Sequence, residues 1–417
     1  MKRFVQFLGA ATLLLSFTQC SEDATTDSAP SVQGSVKLTA SINETRTELS
    51  GNDVLWKSND RLGLFCGTKF VNAPFTTTTG GTTSADFTGD PTDPSGSEAE
   101  VFYAYYPYSA HAVLEGSVVS GLSIPAVQTF ATKSFATELC PMATSGADYS
   151  RLAFRTIGTV LKFQVTGQKN VTKIELTGND GEALAGDYTI DFVGETPEMK
   201  FSGTETTLTL TCSEPVALND ASATEFYFVL PAGVEFTKGI TVKVYTDDNA
   251  EPMVKEYASP LTTRPNKLVT VKAFTYSVPV TSIEEANEAL SKGTSGVTIT
   301  STTDLTAPST LEIPNAFGHG TSTSVEIEQP VSTDLTISEK TTSDKELPET
   351  LSVEMETTAS LIVDTPNLTV SLEGTYTTVE ATTAENTLIV AKNTVIETLT
   401  VKKGNVKIYG TVGEIRQ

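Results

Sequence analysis

The sequence predicts an all-β chain. Two tandem β-sandwiches are expected over residues 35–148 and 149–276, followed by a parallel β-helix over 280–417 with one capping helix. Three observations carry this expectation. Short apolar or alternating runs are punctuated by Gly, Pro, Asn and Asp from Val36 onward, and no long helical periodicity precedes residue 280. Aromatic residues crowd into a few of these runs and thin out after Tyr276. Beyond the single helical stretch, short triplets of the form apolar, any, apolar recur.

Taken in order, the chain begins with Lys2 and Arg3 ahead of the apolar run from Phe4 to Phe17, which stops just before Cys20. The run is too short and wrongly flanked for a spanning helix, which needs about 20 apolar residues. Residues 1–19 therefore read as a cleaved export signal. They resemble bacterial lipoprotein signal peptides, in which the residue after the cut is a cysteine that takes the acyl chains. That resemblance implies lipidation at Cys20 and anchorage in the outer membrane. Phe17-Thr18-Gln19 depart from the small residues the motif prefers, whereas Cys20-Ser21-Glu22-Asp23 resembles the acidic surface-export tails of Bacteroidetes lipoproteins. An ordinary signal with an incidental cysteine is the alternative. Residues 20–34, rich in Ser, Thr, Asp and Ala, have almost nothing to bury and read as a flexible tether.

Ser35 to Ile42 alternates polar and apolar residues, the pattern of a half-buried strand. Asp53-Val54-Leu55-Trp56 and Arg61-Leu62-Gly63-Leu64-Phe65 follow, with the turn Ser58-Asn59-Asp60 between them. Val101 to Tyr108 holds five aromatics in eight residues. Such strands fill sandwich cores, and a carbohydrate-stacking platform is the functional alternative. A second set of strands starts at Phe154 and runs to about Phe274, so the two sandwiches are expected to divide near Tyr149.

Ser282 then opens a short helix. It can cap the first turn, Glu285 sits three residues on as in a capping box, and Gly293 ends the pattern. Triplets follow, among them Val297-Thr298-Ile299, Leu335-Thr336-Ile337, Leu351-Ser352-Val353, Leu361-Ile362-Val363 and Leu399-Thr400-Val401. Their irregular spacing and the scarcity of aromatics suit a solenoid in which each turn buries its neighbour, with the helix over the first turn. A third sandwich is the other fold considered.

The charge balance narrows the function. The chain has 51 acidic and 28 basic residues, a formal charge of −23, which repels phosphate backbones, so no nucleic-acid partner is expected. Cys66, Cys140 and Cys212 show no metal-type spacing and read as small buried hydrophobes, with one disulfide as the alternative. No cofactor or metal is expected. His111 and His319 lie far apart in sequence, and nothing resembles a nucleophile elbow. Asp247-Asp248-Asn249 lacks the spaced ligand series of a calcium loop and reads as a hairpin turn. The chain is therefore not expected to be an enzyme, although a carboxylate pair on the β-helix would escape detection by spacing.

Residues 35 to 275 resemble the fimbrillin-like lipoproteins of Bacteroidetes. The resemblance rests on Thr45-Arg46-Thr47, Trp56 with Asp60-Arg61-Leu62-Gly63-Leu64-Phe65, Tyr103-Ala104-Tyr105-Tyr106-Pro107-Tyr108, Ile124-Pro125-Ala126 with Gln128-Thr129, and Phe228-Val229-Leu230-Pro231-Ala232-Gly233, in that order. It implies tandem transthyretin-like sandwiches on a surface lipoprotein of the outer membrane or a fimbrium. It further implies proteolytic removal of the first strand, here after Arg46, so that a neighbouring fimbrial subunit adds a strand in its place. A surface arginine in a turn is the alternative for Arg46. A chain whose C-terminus is occupied by about 137 residues of β-helix is expected to be a tip or accessory subunit, or an adhesin for a host or bacterial surface protein or glycan. The competing expectation is a glycan-binding or carbohydrate-active surface lipoprotein that uses the C-terminal domain.

Overall fold

A computed structural model describes residues 35–42, 54–136, 139–248, 251–301, 305–318, 320–341 and 345–417. Cys20, Arg46 and His319 lie outside the described residues. The described chain is all-β with one α-helix.

Ten strands precede residue 157. They are β1 (Val36–Ile42), β2 (Arg61–Cys66), β3 (Phe70–Thr77), β4 (Ser84–Gly89) and β5 (Phe102–Tyr106). After these come β6 (Val113–Glu115), β7 (Val118–Ile124), β8 (Val127–Thr129), β9 (Met142–Gly146) and β10 (Arg151–Thr156). Seven of the ten close into a barrel in the order β1-β10-β9-β5-β2-β3-β4. The first sandwich expected from the sequence is thus a closed barrel. The reason is β1, which pairs with β10 on one side and β4 on the other and so leaves neither edge free. Tyr149 lies between β9 and β10, barrel strands that pair with each other.

Local chemistry explains several of these strands. Asn59 takes the left-handed conformation at φ 73° in the turn before β2. Buried Asp60 then accepts from Lys57 N (2.7 Å) and from the Tyr106 hydroxyl (3.0 Å). Gly63 lies opposite Tyr105, and a Cβ there would stand 2.3 Å from the tyrosine ring. Glycine is what lets that ring lie across β2.

The second set comprises β11 (Thr159–Thr166), β12 (Asn170–Gly178), β13 (Gly186–Asp191), β14 (Glu198–Phe201), β15 (Thr207–Ala217) and β16 (Thr224–Leu230). It continues with β17 (Glu235–Phe236), β18 (Ile240–Thr246), β19 (Met253–Tyr257), β20 (Leu261–Thr262), β21 (Lys267–Thr270) and β22 (Phe274–Thr275). One sheet runs β16-β11-β21 with β22 beside the end of β11; another runs β19-β18-β12-β15-β8. Leu161, Phe163, Val165, Phe226 and Phe228 from the first share a core with Ile174, Leu208, Val242 and Val244 from the second. The alternate residues Val160, Tyr227 and Val229 pack into the barrel core instead. The β16-β11 wall is therefore buried on both faces, as its aromatic and β-branched composition requires.

The aromatic strand β5 has the same fate. Phe102, Ala104 and Tyr106 point into the barrel. Tyr105 points outward and is covered by a sheet in the order β14-β13-β7-β6 through Val119, Leu122, Tyr188 and Ile190. The ring-rich segment is core, and Tyr108 lies under the Arg61 guanidinium at 4.4 Å.

The last set is β23 (Val278–Val280), α1 (Ile283–Ser291), β24 (Gly296–Ile299), β25 (Ser309–Pro314), β26 (Thr323–Ile327), β27 (Leu335–Lys340), β28 (Thr350–Asp364), β29 (Thr369–Val390), β30 (Val395–Ile408) and β31 (Thr411–Arg416). The Ser282 hydroxyl accepts from Glu285 N at 3.1 Å, the Glu285 carboxylate accepts from Thr281 N at 2.7 Å, and Gly293 at φ 75° follows the helix. Ile283, Ala286, Ala289 and Leu290 turn the apolar face of α1 inward. The strands form one nine-stranded sheet in which the ladders run parallel. Identical positions stack in register: Val297 on Val325 on Val353 on Leu372, and Leu335 on Leu361 on Val379 on Leu399. All eight are buried. Successive partners lie between 16 residues (Val395, Thr411) and 28 residues (Gly296, Ser324) apart in sequence.

One buried side chain joins the first two regions. β8 adds parallel to β15, and Gln128 within it reaches β16, donating to Val229 O at 2.7 Å and accepting from Val229 N at 2.9 Å. The amide completes the open edge of β16 as another strand would. Gln128→Leu is expected to leave both backbone groups buried and unpaired, costing about 2–4 kcal/mol, measurable as a lower denaturant midpoint with the fold retained.

Candidate functional site

The first strand and the slot it fills form the candidate site. Its sequence, Val-Lys-Leu-Thr-Ala-Ser-Ile, alternates as expected, and Leu38, Ala40 and Ile42 are buried in the barrel core. On one side Thr39, Ala40, Ser41 and Ile42 lie parallel to Arg151, Leu152, Ala153 and Phe154. On the other, Val36 to Ser41 run antiparallel to Gly89 back to Ser84. β1 is thus a central strand of mixed pairing.

Side chains complete the slot. The Trp56 indole N–H donates to Ala40 O at 3.1 Å, across the strand's backbone. The same indole meets Phe87, Tyr106 and Phe154 edge-on, with ring centroids 5.0, 5.3 and 5.7 Å away. Phe87 is the cross-strand neighbour of Leu38 and Phe154 that of Ile42. The floor of the slot is therefore aromatic, and it is shaped for small and branched aliphatic side chains at every second position. At the exposed rim Asp86 takes Lys37 Nζ at 2.7 Å and Thr39 Oγ1 at 2.9 Å. Those two hydrogen bonds, the lysine's first, hold the Asp86 carboxyl below the usual range.

The magnitudes decide how β1 behaves. Burial of Leu38 and Ile42 alone is worth roughly 3–6 kcal/mol, comparable with the whole stability of many domains, about 5–15 kcal/mol. Undocking β1 would forfeit stabilisation of this order. A strand that did leave would expose two unpaired edges and the Trp56, Phe87 and Phe154 rings together, a site that only another strand satisfies. Arg46, four residues after Ile42, falls in the segment 43–53 outside the described residues.

A second concavity lies between β19, β22 and the parallel sheet. It has a volume of ≈ 310 Å³ and is lined on one side by Lys255, Tyr257 and Lys272 and on the other by Ser324, Ser352, Glu326, Glu354 and Glu373. The three glutamates are consecutive partners in one ladder, so their backbones are spaced by about 4.8 Å. Lys255 Nζ stands 3.8 Å from Glu326. Burial raises the Glu326 carboxyl above its ordinary value; Lys255 opposes that shift, and Glu354 and Glu328 add to it. No sequence spacing points to this trio, because its members meet only through register.

The remaining sequence candidates sit apart from both sites. His111 is exposed. Asp247 accepts from Asn170 and Asp248 from Lys169 in the turn between β18 and β19, and the described residues contain no cluster of metal-ligating side chains. Cys66, Cys140 and Cys212 form no disulfide among the described residues, and the first two are buried; burial pushes Cys212 up to about 11. Among the described residues no helix is long and apolar enough to cross a membrane.

No protein-family model matches the chain, and no curated protein does. Among solved structures, a candidate cell adhesion protein of Bacteroides fragilis is similar over 57% of this chain and 90% of its own, at 12% identity and a TM-score of 0.30. The tip fimbrial protein Mfa3 of Porphyromonas gingivalis, truncated at its C-terminus, is similar over 55% and 83%, at 12% identity and a TM-score of 0.24. The major pilin of Streptococcus pyogenes is similar over 58% and 99%, at 10% identity and a TM-score of 0.15. None of these likenesses is close enough to assign a family.

The glutamate ladder makes a pH prediction. A carboxyl whose folded pKa is raised binds its proton more tightly in the folded state, so its stabilising contribution is complete below the ordinary glutamate value of 4.5 and is lost as pH rises through the folded pKa. Glu326→Gln is expected to raise the melting temperature at pH 7 despite removing the contact with Lys255. The gain should vanish below about pH 4, where the native carboxyl is itself neutral. Melting curves of both proteins across pH check this.

Proposed function

We propose that the chain is a cell-surface fimbrial subunit of the tip or accessory kind, or a surface adhesin, delivered as a lipoprotein on Cys20 and assembled by strand exchange after cleavage at Arg46. One observation carries the proposal: β1 lies between two partners and supplies three side chains to an aromatic-floored slot. It is followed directly by an arginine-containing segment. Cutting after Arg46 breaks the covalent link that keeps β1 at high effective concentration in its slot. A neighbouring subunit's strand, aliphatic at alternate positions, then competes on backbone hydrogen bonds and core burial alone. In this reading β1 is a removable plug and Cys20 a delivery device, because the cut separates the lipid from everything downstream.

The parallel sheet has its place in the same proposal. Its in-register ladders and the buried face of α1 support winding as a short β-helix over 280–417, carried outermost and presenting Ser, Thr and Glu rows to a surface protein or glycan. A second reading, a glycan-binding or carbohydrate-active lipoprotein, is favoured by the concavity in which Glu326, Glu354 and Glu373 face Lys255 and Lys272. Release of reducing sugar from surface polysaccharides, abolished by Glu354→Gln in a folded protein, would establish it.

The strand-exchange reading is tested by treating the purified precursor with an Arg-specific protease and resolving the products on denaturing gels without boiling. Cleavage between Arg46 and Thr47 followed by ladders of denaturant-resistant oligomers is expected, and Arg46→Ala should abolish both. Retention of the first strand after confirmed cleavage, with monomers only, would sink the polymerising subunit and leave the monomeric adhesin.

A further inference from the structure

A third concavity lies where the layer that covers the barrel runs out. β14 is the last strand of the sheet β14-β13-β7-β6, and among the described residues it pairs only with β13. Beside it the end of β10 and the loops 231–233 and 265–266 enclose a cavity of ≈ 400 Å³. That volume lies in the range of small-molecule pockets, roughly 300–1,000 Å³. The walls come from segments distant in sequence, with Arg155, Ile157, Pro197, Met199, Ala232 and Asn266 among them. None of these residues belongs to the β1 slot or to the glutamate ladder.

Most of the lining is apolar. Buried Ile157 and partly buried Met199 belong to the core between the barrel and its covering sheet, and two prolines and Ala232 extend that surface. Arg155 breaks the pattern. In β10, Leu152 and Phe154 point into the barrel, so Arg155 takes the outer face, directly opposite Ala143, which is fully buried in the outer core. An arginine thus stands at the margin of an apolar layer, exposed at the mouth of the cavity. Its guanidinium has no hydrogen-bond or ion-pair partner among the described residues, and neither has the side-chain amide of Asn266. The Asn266 backbone is fixed by its N–H, which donates to Gly158 O at 3.0 Å. Glu198 is the one carboxylate in the described lining, and it is engaged by Lys200 Nζ at 2.6 Å.

We propose that this cavity binds a small monocarboxylic acid with an apolar body. The carboxylate lies on the Arg155 guanidinium, whose planar fork of donors matches it, and beside the Asn266 amide. The body lies over Ile157, Met199 and Pro197, where leaving water supplies most of the affinity. The carboxylate of Glu198 sets the charge of the ligand: one negative charge is neutralised by Arg155, and a second in the same space meets repulsion from Glu198. This acid site goes beyond the surface role proposed above and does not depend on it.

The test uses the full chain with isotope-labelled methionine methyl groups, hexanoate as the probe, and a pH of about 8, where a phosphate monoester is a dianion. Titration is expected to move the Met199 methyl signal with a Kd of about 1 mM or below, ordinary for a ligand of this size. The signals of Met142, in the barrel core, and Met253, in the glutamate cleft, should hold still. Hexanamide, uncharged and of the same shape, and hexyl phosphate are each expected to bind about tenfold more weakly. Arg155→Gln, at an exposed position that spares the fold, should weaken hexanoate about tenfold at an unchanged melting temperature and leave hexanamide as it was. Glu198→Gln should bring hexyl phosphate to within about threefold of hexanoate. A still Met199 signal, movement of Met253 in its place, equal binding of hexanoate and hexanamide, or undiminished binding by Arg155→Gln overturns the proposal. So does a preference for hexyl phosphate, or a rejection of it that survives Glu198→Gln.

Discussion

Closure of the barrel by β1 is the constraint on which the first region depends. A strand with partners on both sides leaves no edge exposed, and here it also places Leu38, Ala40 and Ile42 against the ring cluster of Trp56, Phe87, Tyr106 and Phe154. The Trp56 hydrogen bond to Ala40 O ties the cluster to β1 rather than to its neighbours. What β1 satisfies is generic: backbone edges on both sides and aliphatic pockets at alternate positions.

From the barrel outward, the molecule grows by sheets that are buried on both faces. The β2-β5-β9 wall has the barrel core on one side and the β7-β13 sheet on the other. The β16-β11 wall divides the barrel core from the next. Each wall therefore needs aromatic or branched residues at consecutive positions, and the price in polar groups is met by few devices, of which the Gln128 amide on the β16 edge is the clearest. The parallel sheet solves the same problem by stacking like on like, with Val297, Val325, Val353 and Leu372 in one column. The outward column in the same strands is Thr298, Glu326, Glu354 and Glu373, and stacking Glu354 beside Glu326 adds to the upward shift of the Glu326 carboxyl. Part of that column is then desolvated against Lys255.

Much was legible in the sequence because it depends on neighbours along the chain. Alternation marked β1, the Asn-Asp turn marked the start of β2, Ser282, Glu285 and Gly293 bracketed α1, and the apolar triplets marked the strands that stack. The aromatic density of Val101 to Tyr108 announced a buried strand because only a covered surface stabilises so many rings at once. Alternation of this kind fixes which face of a strand is apolar, but not which strand lies beside it.

Pairing was decided by the tertiary structure alone. The chain interleaves its sheets: β8 leaves to join β15, and β9 and β10 return to the barrel. Closure of the barrel, the bridging of β8 to β16 by Gln128 and the glutamate column facing Lys255 all arise between residues distant in sequence. Local propensity acts through a few bonds and can be read from single residues. Register between strands is set by the packing of whole faces, and it exists only once the chain has folded.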